Sequence, residues 1–216
     1  MSDHLIWPSH LIQLQDFLPN LKDHLLGRCL NRDYDGDEYD FTDQERQDVT
    51  LLNNRMYRHK VLRVNYTTYD CCRAQDSLNP WTHSDIMVLA HEDDDERDKH
   101  PFWYARVIGI FHIFVRHIGP KSTNRDTQRM DFLWVRWFGH DLKYRAGWKA
   151  KRLHCLGFLD SDDPFAFGFL DPKEVIRGSH LIPAFAHGRT VDSLPPSIAR
   201  QPSEDDEDWN NYYVGI

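Results

Sequence analysis

The segment HPFWYARVIGIFHIFVRH, His100 to His117, constrains this chain more than any other stretch. It is rich in β-branched and aromatic residues, so it reads as a strand. Side chains alternate across a strand. Trp103, Ala105, Val107, Gly109, Phe111, Ile113 and Val115 therefore share one face, and Tyr104, Arg106, Ile108, Ile110, His112 and Phe114 share the other. Both faces are mainly apolar, so the fold must cover this strand on both sides. Gly109 sits where a strongly bent strand coils most easily.

Other segments supply the covering elements. Leu11, Leu14, Phe17, Leu18, Leu21 and Leu25 recur at helical spacing and predict a helix over 11–30, with Pro19 ending a short first piece and serving as an early residue of the next. Thr42-Asp43-Gln44-Glu45 is a capping-box pattern that heads a second helix running to about Leu52. Strands are expected over Met56–Tyr66, in SDIMVLAHE, over Met130–Phe138 and, more weakly, in RLHCLGFL. Asp171-Pro172-Lys173-Glu174 looks like a helix start that leads into a final strand, SHLIPAF.

These elements predict an α+β, mainly β fold: a small, bent SH3/BAH-like barrel with an N-terminal helical arm and a disordered, acidic C-terminal segment. The arm spans 1–54, the barrel 55–190 and the polar tail 191–216. At 216 residues the chain is long enough for one good core. Removing 192–208 is expected to change stability little, since that segment shows almost no apolar anchor.

Charge is unevenly placed. The formal net charge is −8. The runs HEDDDERDK (91–99) and EDDED (204–208) are strongly acidic, yet Trp103 to Thr190 carries fourteen Lys/Arg against eight Asp/Glu. The overall sign argues against simple nucleic-acid binding, while the local sign allows it. Cys29, Cys71, Cys72 and Cys155 lack paired C-x-x-C spacing, which favours reduced thiols in an intracellular protein. No apolar run reaches the length of a membrane span, and the first residues lack signal-peptide features.

Catalytic and metal motifs are not found. NRDYDGDEYDFT (31–42) resembles a calcium loop, but Thr42 stands where a bidentate Glu is needed, and Glu38 where the loop wants an apolar residue. Thirteen histidines form no zinc signature. The acidic residues cluster in runs that are usually solvated, and no nucleophile has an identifiable base. The reading is a non-enzyme without catalytic residues, metal or cofactor, for which a small-molecule substrate is not expected.

The best interaction candidate is GHDLKYRAGWKAKRLH (139–154). Lys143, Arg145, Lys149, Lys151 and Arg152 can meet phosphates, and Tyr144 and Trp148 can stack on bases. The competing reading is an ordinary β-hairpin loop with solvated charge, which is the commoner case for basic loops.

The segments VLRVNYTTYD, DIMVLAHED, FWYARVIGIFH, MDFLWVRWFG and FGFLDPKEVIRGSHLIPAFAHGRT occur in that order. This order resembles the C-terminal accessory region of Plavaka-like, CACTA-group DNA transposon proteins of mushroom-forming fungi. It is more distantly similar to an uncharacterised C-terminal domain of plant CACTA transposases. The resemblance covers about residues 17–214. It implies a non-enzymatic module whose catalytic partner lies in a separate nuclease domain, with DNA, a transposase or a chromatin protein as partner and the nucleus as location. It also implies that relatives continue beyond YYVGI, so that this chain is a truncated or stand-alone remnant. A chromatin-reader-like barrel is a further alternative by fold analogy.

Overall fold

The computed structural model describes residues 3–6, 17–32, 41–90, 100–141, 143–197, 199–200 and 205–215. Leu11 and Leu14 of the expected first helix, most of the calcium-like loop and the acidic run 91–99 lie outside these residues. In chain order the elements begin with β1 (Asp3–Ile6), α1 (Phe17–Cys29), α2 (Asp43–Gln47), β2 (Val49–His59), β3 (Leu62–Thr67), β4 (Arg73–Leu78) and β5 (Asp85–Leu89). They continue with β6 (Phe102–His117), β7 (Gln128–His140), β8 (Cys155–Phe158), β9 (Phe167–Leu170), β10 (Val175–Gly178) and β11 (His180–Pro183). Three short strands follow: β12 (Arg189–Thr190), β13 (Asp208–Trp209) and β14 (Tyr212–Gly215). Among the described residues the fold is mainly β, with two α-helices.

The chain forms two compact units. One comprises Met1–Lys60, Gly109–Trp134 and Gly168–Pro172; the other comprises Val61–Ile108, Val135–Phe167 and Lys173–Ile216. Neither is continuous in sequence. β6 and β7 pair with each other, and each gives one end to each unit. The expected barrel does not close among the described residues. The main sheet runs β1-β2-β6-β7-β8-β14-β11, with β5, β9 and β10 attached beside this path.

In the first unit, α1 starts at Phe17, so Pro19 falls in its first turn. A first-turn N–H has no intrahelical partner, so proline loses nothing there. Phe17, Leu21, Leu25 and Leu26 are buried. The Phe17 ring meets Trp134 edge-on at 5.5 Å and Phe169 at 5.0 Å. Phe111 stacks on Phe132 at 5.5 Å. A Cβ on Gly109 would collide with the Phe111 ring, so glycine here serves close packing on the same strand face.

The capping box at Thr42 forms as expected: the Thr42 hydroxyl accepts from the Glu45 N–H while the Glu45 carboxylate accepts from the Thr42 N–H. The helix it caps is shorter than expected, ending at Gln47. Val49-Thr50-Leu51 pairs with β6 as a strand instead (Val49↔His117, Leu51↔Val115). Asn53 and Asn54, both at positive φ, then shift the register before pairing resumes at Met56↔Ile113. Asparagine tolerates this left-handed backbone better than other non-glycine residues. The single strand expected over Met56–Tyr66 is likewise two, β2 and β3, separated at Lys60-Val61.

In the second unit, Tyr104, Phe138, Leu156, Leu181, Tyr212 and Val214 form a core cluster with Phe158 and Trp209 packed against it. Arg106 is embedded among these rings, 5.0 Å from Phe158 and 5.3 Å from Tyr212, and its Nε donates to Asp85 Oδ1 at 2.7 Å. A second buried guanidinium, Arg136, lies 3.8 Å over the Phe158 ring and donates to Asp208 Oδ2 at 2.9 Å. The Ser193 hydroxyl donates to the same oxygen at 2.6 Å. Arg200 Nη1 is 3.0 Å from Asp208 Oδ1, an ion pair without hydrogen-bond alignment.

These contacts correct the reading of the C-terminal segment as disordered. Within 192–208 the described residues include buried Leu194, Ala199, Arg200 and Asp208, the last in strand β13. An acidic run suggests solvation, but Asp208 is the counter-ion of two buried arginines, and charge composition alone does not show such pairing.

Three outcomes follow. Phe111→Ala and Trp134→Ala should each destabilise by about 3–5 kcal/mol in urea melts, as large aromatic truncations do. Asp208→Ala should cost about 3–5 kcal/mol, because it strands buried guanidinium charge; a loss no larger than that of a surface substitution would contradict the buried pairing. His24 is buried with neither ring nitrogen hydrogen-bonded, and burial, then Arg28, lowers its pKa from 6.5 to about 3. Between those values the unfolded chain binds a proton that the folded chain refuses, so stability falls as pH drops through that window. Urea melts of His24→Leu at about pH 7 and about pH 4.5 should show a smaller acid-dependent loss than the parent.

Candidate nucleic-acid interface

β7 and β8 pair antiparallel (Gly139↔Gly157, His140↔Leu156), so 141–154 is the connection of a β-hairpin, as the sequence suggested. Its base is fixed. The Asp141 N–H donates to Cys155 O at 3.0 Å, and the Val214 N–H to His154 O at 2.9 Å. Asp141 turns the chain by accepting at Oδ1 from the Lys143 N–H at 2.9 Å. A second constriction forms further out, where Gly147 and Arg152 make an antiparallel bridge. The Gly147 N–H donates to Arg152 O at 2.8 Å. Gly147 has φ +90°, a conformation strained for other residues, and Lys151 also lies at positive φ.

Trp148, Lys149, Ala150 and Lys151 are therefore held at a closed tip. Trp148 is 91% exposed. Lys143, Arg145, Lys149, Lys151 and Arg152 are all exposed as well. Among the described residues none of these five cations makes an ion pair with a carboxylate. Tyr144 differs from the expectation that either ring could stack on a base. It is half-buried, 6.0 Å from the Tyr213 ring, with the Arg152 guanidinium 5.8 Å from its own ring centroid. The structure thus brings the predicted residues onto one connection but gives its two aromatics different situations: Trp148 open, Tyr144 supported.

Three histidines gather at the root of this connection. His100 lies 4.8 Å from His140 and 4.1 Å from His154, ring centre to ring centre. Burial lowers the pKa of both His140 and His154, and His100 lowers each further. Both are neutral near pH 7, so the positive charge of the connection comes from its lysines and arginines.

A separate cleft of about 340 Å³ in the same unit was not visible from the sequence. Trp81, His83, Asp85, Arg106, His180, Arg189, Glu207, Trp209 and Tyr212 contribute to its walls. These residues come from scattered turns and strands, so no local spacing could reveal them. Its charged groups are largely committed to one another: Arg106 to Asp85 at 2.7 Å, and Arg189 to Glu207 at 3.5 Å. Arg189 also covers one face of Trp209 at 4.6 Å. A cationic ligand such as a methylated lysine would have to displace it, which disfavours an aromatic-cage role.

The described part of the acidic run, 205–208, is only partly open to solvent. Asp205 and Asp206 are exposed, whereas Glu207 and Asp208 pair with arginines in their own unit. All four cysteines are free: Cys71 and Cys72 exposed, Cys155 buried and Cys29 partly buried. No described helix is long and apolar enough to cross a membrane. Comparison of the chain with protein-family models, curated proteins and solved structures gives no match.

Proposed function

We propose that this chain is a non-enzymatic interaction module that binds DNA through the β7–β8 connection, with a preference for single-stranded segments. The observation that carries the reading is the pairing of a fully displayed indole, Trp148, with five exposed cations on a loop closed by the Gly147–Arg152 bridge. An exposed tryptophan gains nothing from packing, and its flat face stacks on any base. Lys143, Arg145, Lys149, Lys151 and Arg152 supply phosphate contacts that release counter-ions. The bridge limits the conformational entropy lost when the tip is ordered on a strand.

The ordered resemblance to transposon accessory regions supports DNA as the partner, and a nuclear location goes with that partner. Kinship to SH3- or BAH-like barrels rests on fold analogy alone.

Fluorescence anisotropy with labelled single-stranded and duplex oligonucleotides across salt tests the proposal. Replacing Lys149, Lys151 and Arg152 together by alanine should weaken binding and reduce the salt slope by about 2–3. Trp148→Ala should cost about 1–3 kcal/mol on single strands and less on duplex. Absence of DNA binding at low salt leaves an ordinary solvated hairpin. Binding that is indifferent to all four substitutions would place the DNA elsewhere on the chain.

A further inference from the structure

In the first unit, three potential metal ligands converge that lie far apart in sequence: His59 on β2, His112 on β6 and Asp131 on β7. One ligand atom from each lies within 4.8 Å of the others. The strand register explains the convergence. Tyr57 stands directly opposite His112 across the β2–β6 pair, so His59, two residues along β2, projects from the same sheet face diagonal to His112. The His59 Nε2 and His112 Nδ1 atoms are 2.6 Å apart. Two imidazole nitrogens at that distance share one proton, one ring donating and the other accepting, and both nitrogens point into the same small space.

We infer that His59, His112 and Asp131 form a site for one divalent transition-metal ion of borderline softness, such as Zn²⁺ or Co²⁺. Two imidazoles and one carboxylate suit such ions better than Ca²⁺ or Mg²⁺, which prefer oxygen-only shells. Zinc–nitrogen bonds of about 2.0–2.1 Å in a tetrahedron hold two nitrogens roughly 3.3 Å apart, so the rings must separate by roughly 0.7 Å. The shared proton moves to an outer ring nitrogen, leaving both facing nitrogens free to bind. No net proton is released by this rearrangement.

His112 is already oriented for the role. The Tyr57 ring stacks on it at 4.6 Å with a 7° tilt, which fixes the imidazole plane. The Asp131 side chain is half-exposed and can rotate inward. Its Oδ1 accepts from Arg129 Nη2 at 2.6 Å, which leaves the second carboxylate oxygen for the metal. The side chain of Arg129 is itself half-exposed, so it can move away from the added positive charge. Three protein ligands leave the fourth tetrahedral position to water or an exogenous ligand. The ion would also pin β2, β6 and β7 together. No C-x-x-C or H-E-x-x-H spacing announces the site, because each ligand sits on a different strand.

Titration of the intact chain with Co²⁺, followed by visible absorption and by calorimetry, tests this assignment. The expected result is one ion per chain, with the d–d band of low-symmetry, near-tetrahedral Co²⁺ that Zn²⁺ displaces. His59→Ala and Asp131→Asn, both at incompletely buried positions, should each weaken binding by at least about tenfold while the melting transition without metal persists. His100→Ala, in the other histidine cluster, should leave the band unchanged. Failure of the parent chain to bind either ion overturns the inference. So does undiminished binding by both His59→Ala and Asp131→Asn, or loss of the band in His100→Ala.

Discussion

Ten consecutive residues of β6, from Tyr104 to Ile113, are buried. A strand without a solvent face must be covered on both sides. In one unit the covering includes the aromatic packing of Phe111 on Phe132. In the other it includes the cluster around Tyr104, Phe138 and Tyr212. Each fully buried large apolar side chain contributes about 1.5–3 kcal/mol, so a strand of this kind organises a disproportionate share of the folding energy.

The same strand carries polar exceptions, and these show how the fold handles charge. Arg106 is buried only because Asp85 neutralises it and aromatic rings surround its guanidinium. On the neighbouring strand β7, Arg136 is buried only because Asp208 reaches it from the C-terminal segment. Removing either carboxylate leaves a cation in a low-dielectric setting, where the desolvation penalty is no longer offset. The C-terminal segment is thus held by a few buried charge contacts as well as by its short strands.

Much of the fold was legible from periodicity. The long strands β6 and β7, the α1 apolar stripe and the Thr42 capping box each rest on local side-chain pattern, which a sequence displays directly. The errors share a different origin. The second helix stopped early because Val49 and Leu51 gain more by pairing with β6 than by extending a short helix, a tertiary preference that overrides local propensity. The Asn53–Asn54 irregularity and the burial of Asp208 likewise depend on partners distant in sequence. The barrel expectation treated the strands as one closed set, whereas their pairing follows an open path. At the candidate interface, the basic and aromatic residues were legible because they are contiguous. The distinction between open Trp148 and supported Tyr144 was not, since Tyr144 is held partly by Tyr213, from the far end of the chain. The walls of the cleft were invisible for the same reason.

The account of function turns on whether the tip of the β7–β8 connection touches nucleic acid. Ultraviolet cross-linking of the intact chain to an oligothymidylate, followed by mass spectrometry of the cross-linked peptides, asks that question without any substitution. Cross-links concentrated on the peptide that contains Trp148, and diminishing as salt is raised, are the predicted result. Cross-links confined to Trp81 or Trp209 at the cleft, or none at low salt, would contradict it.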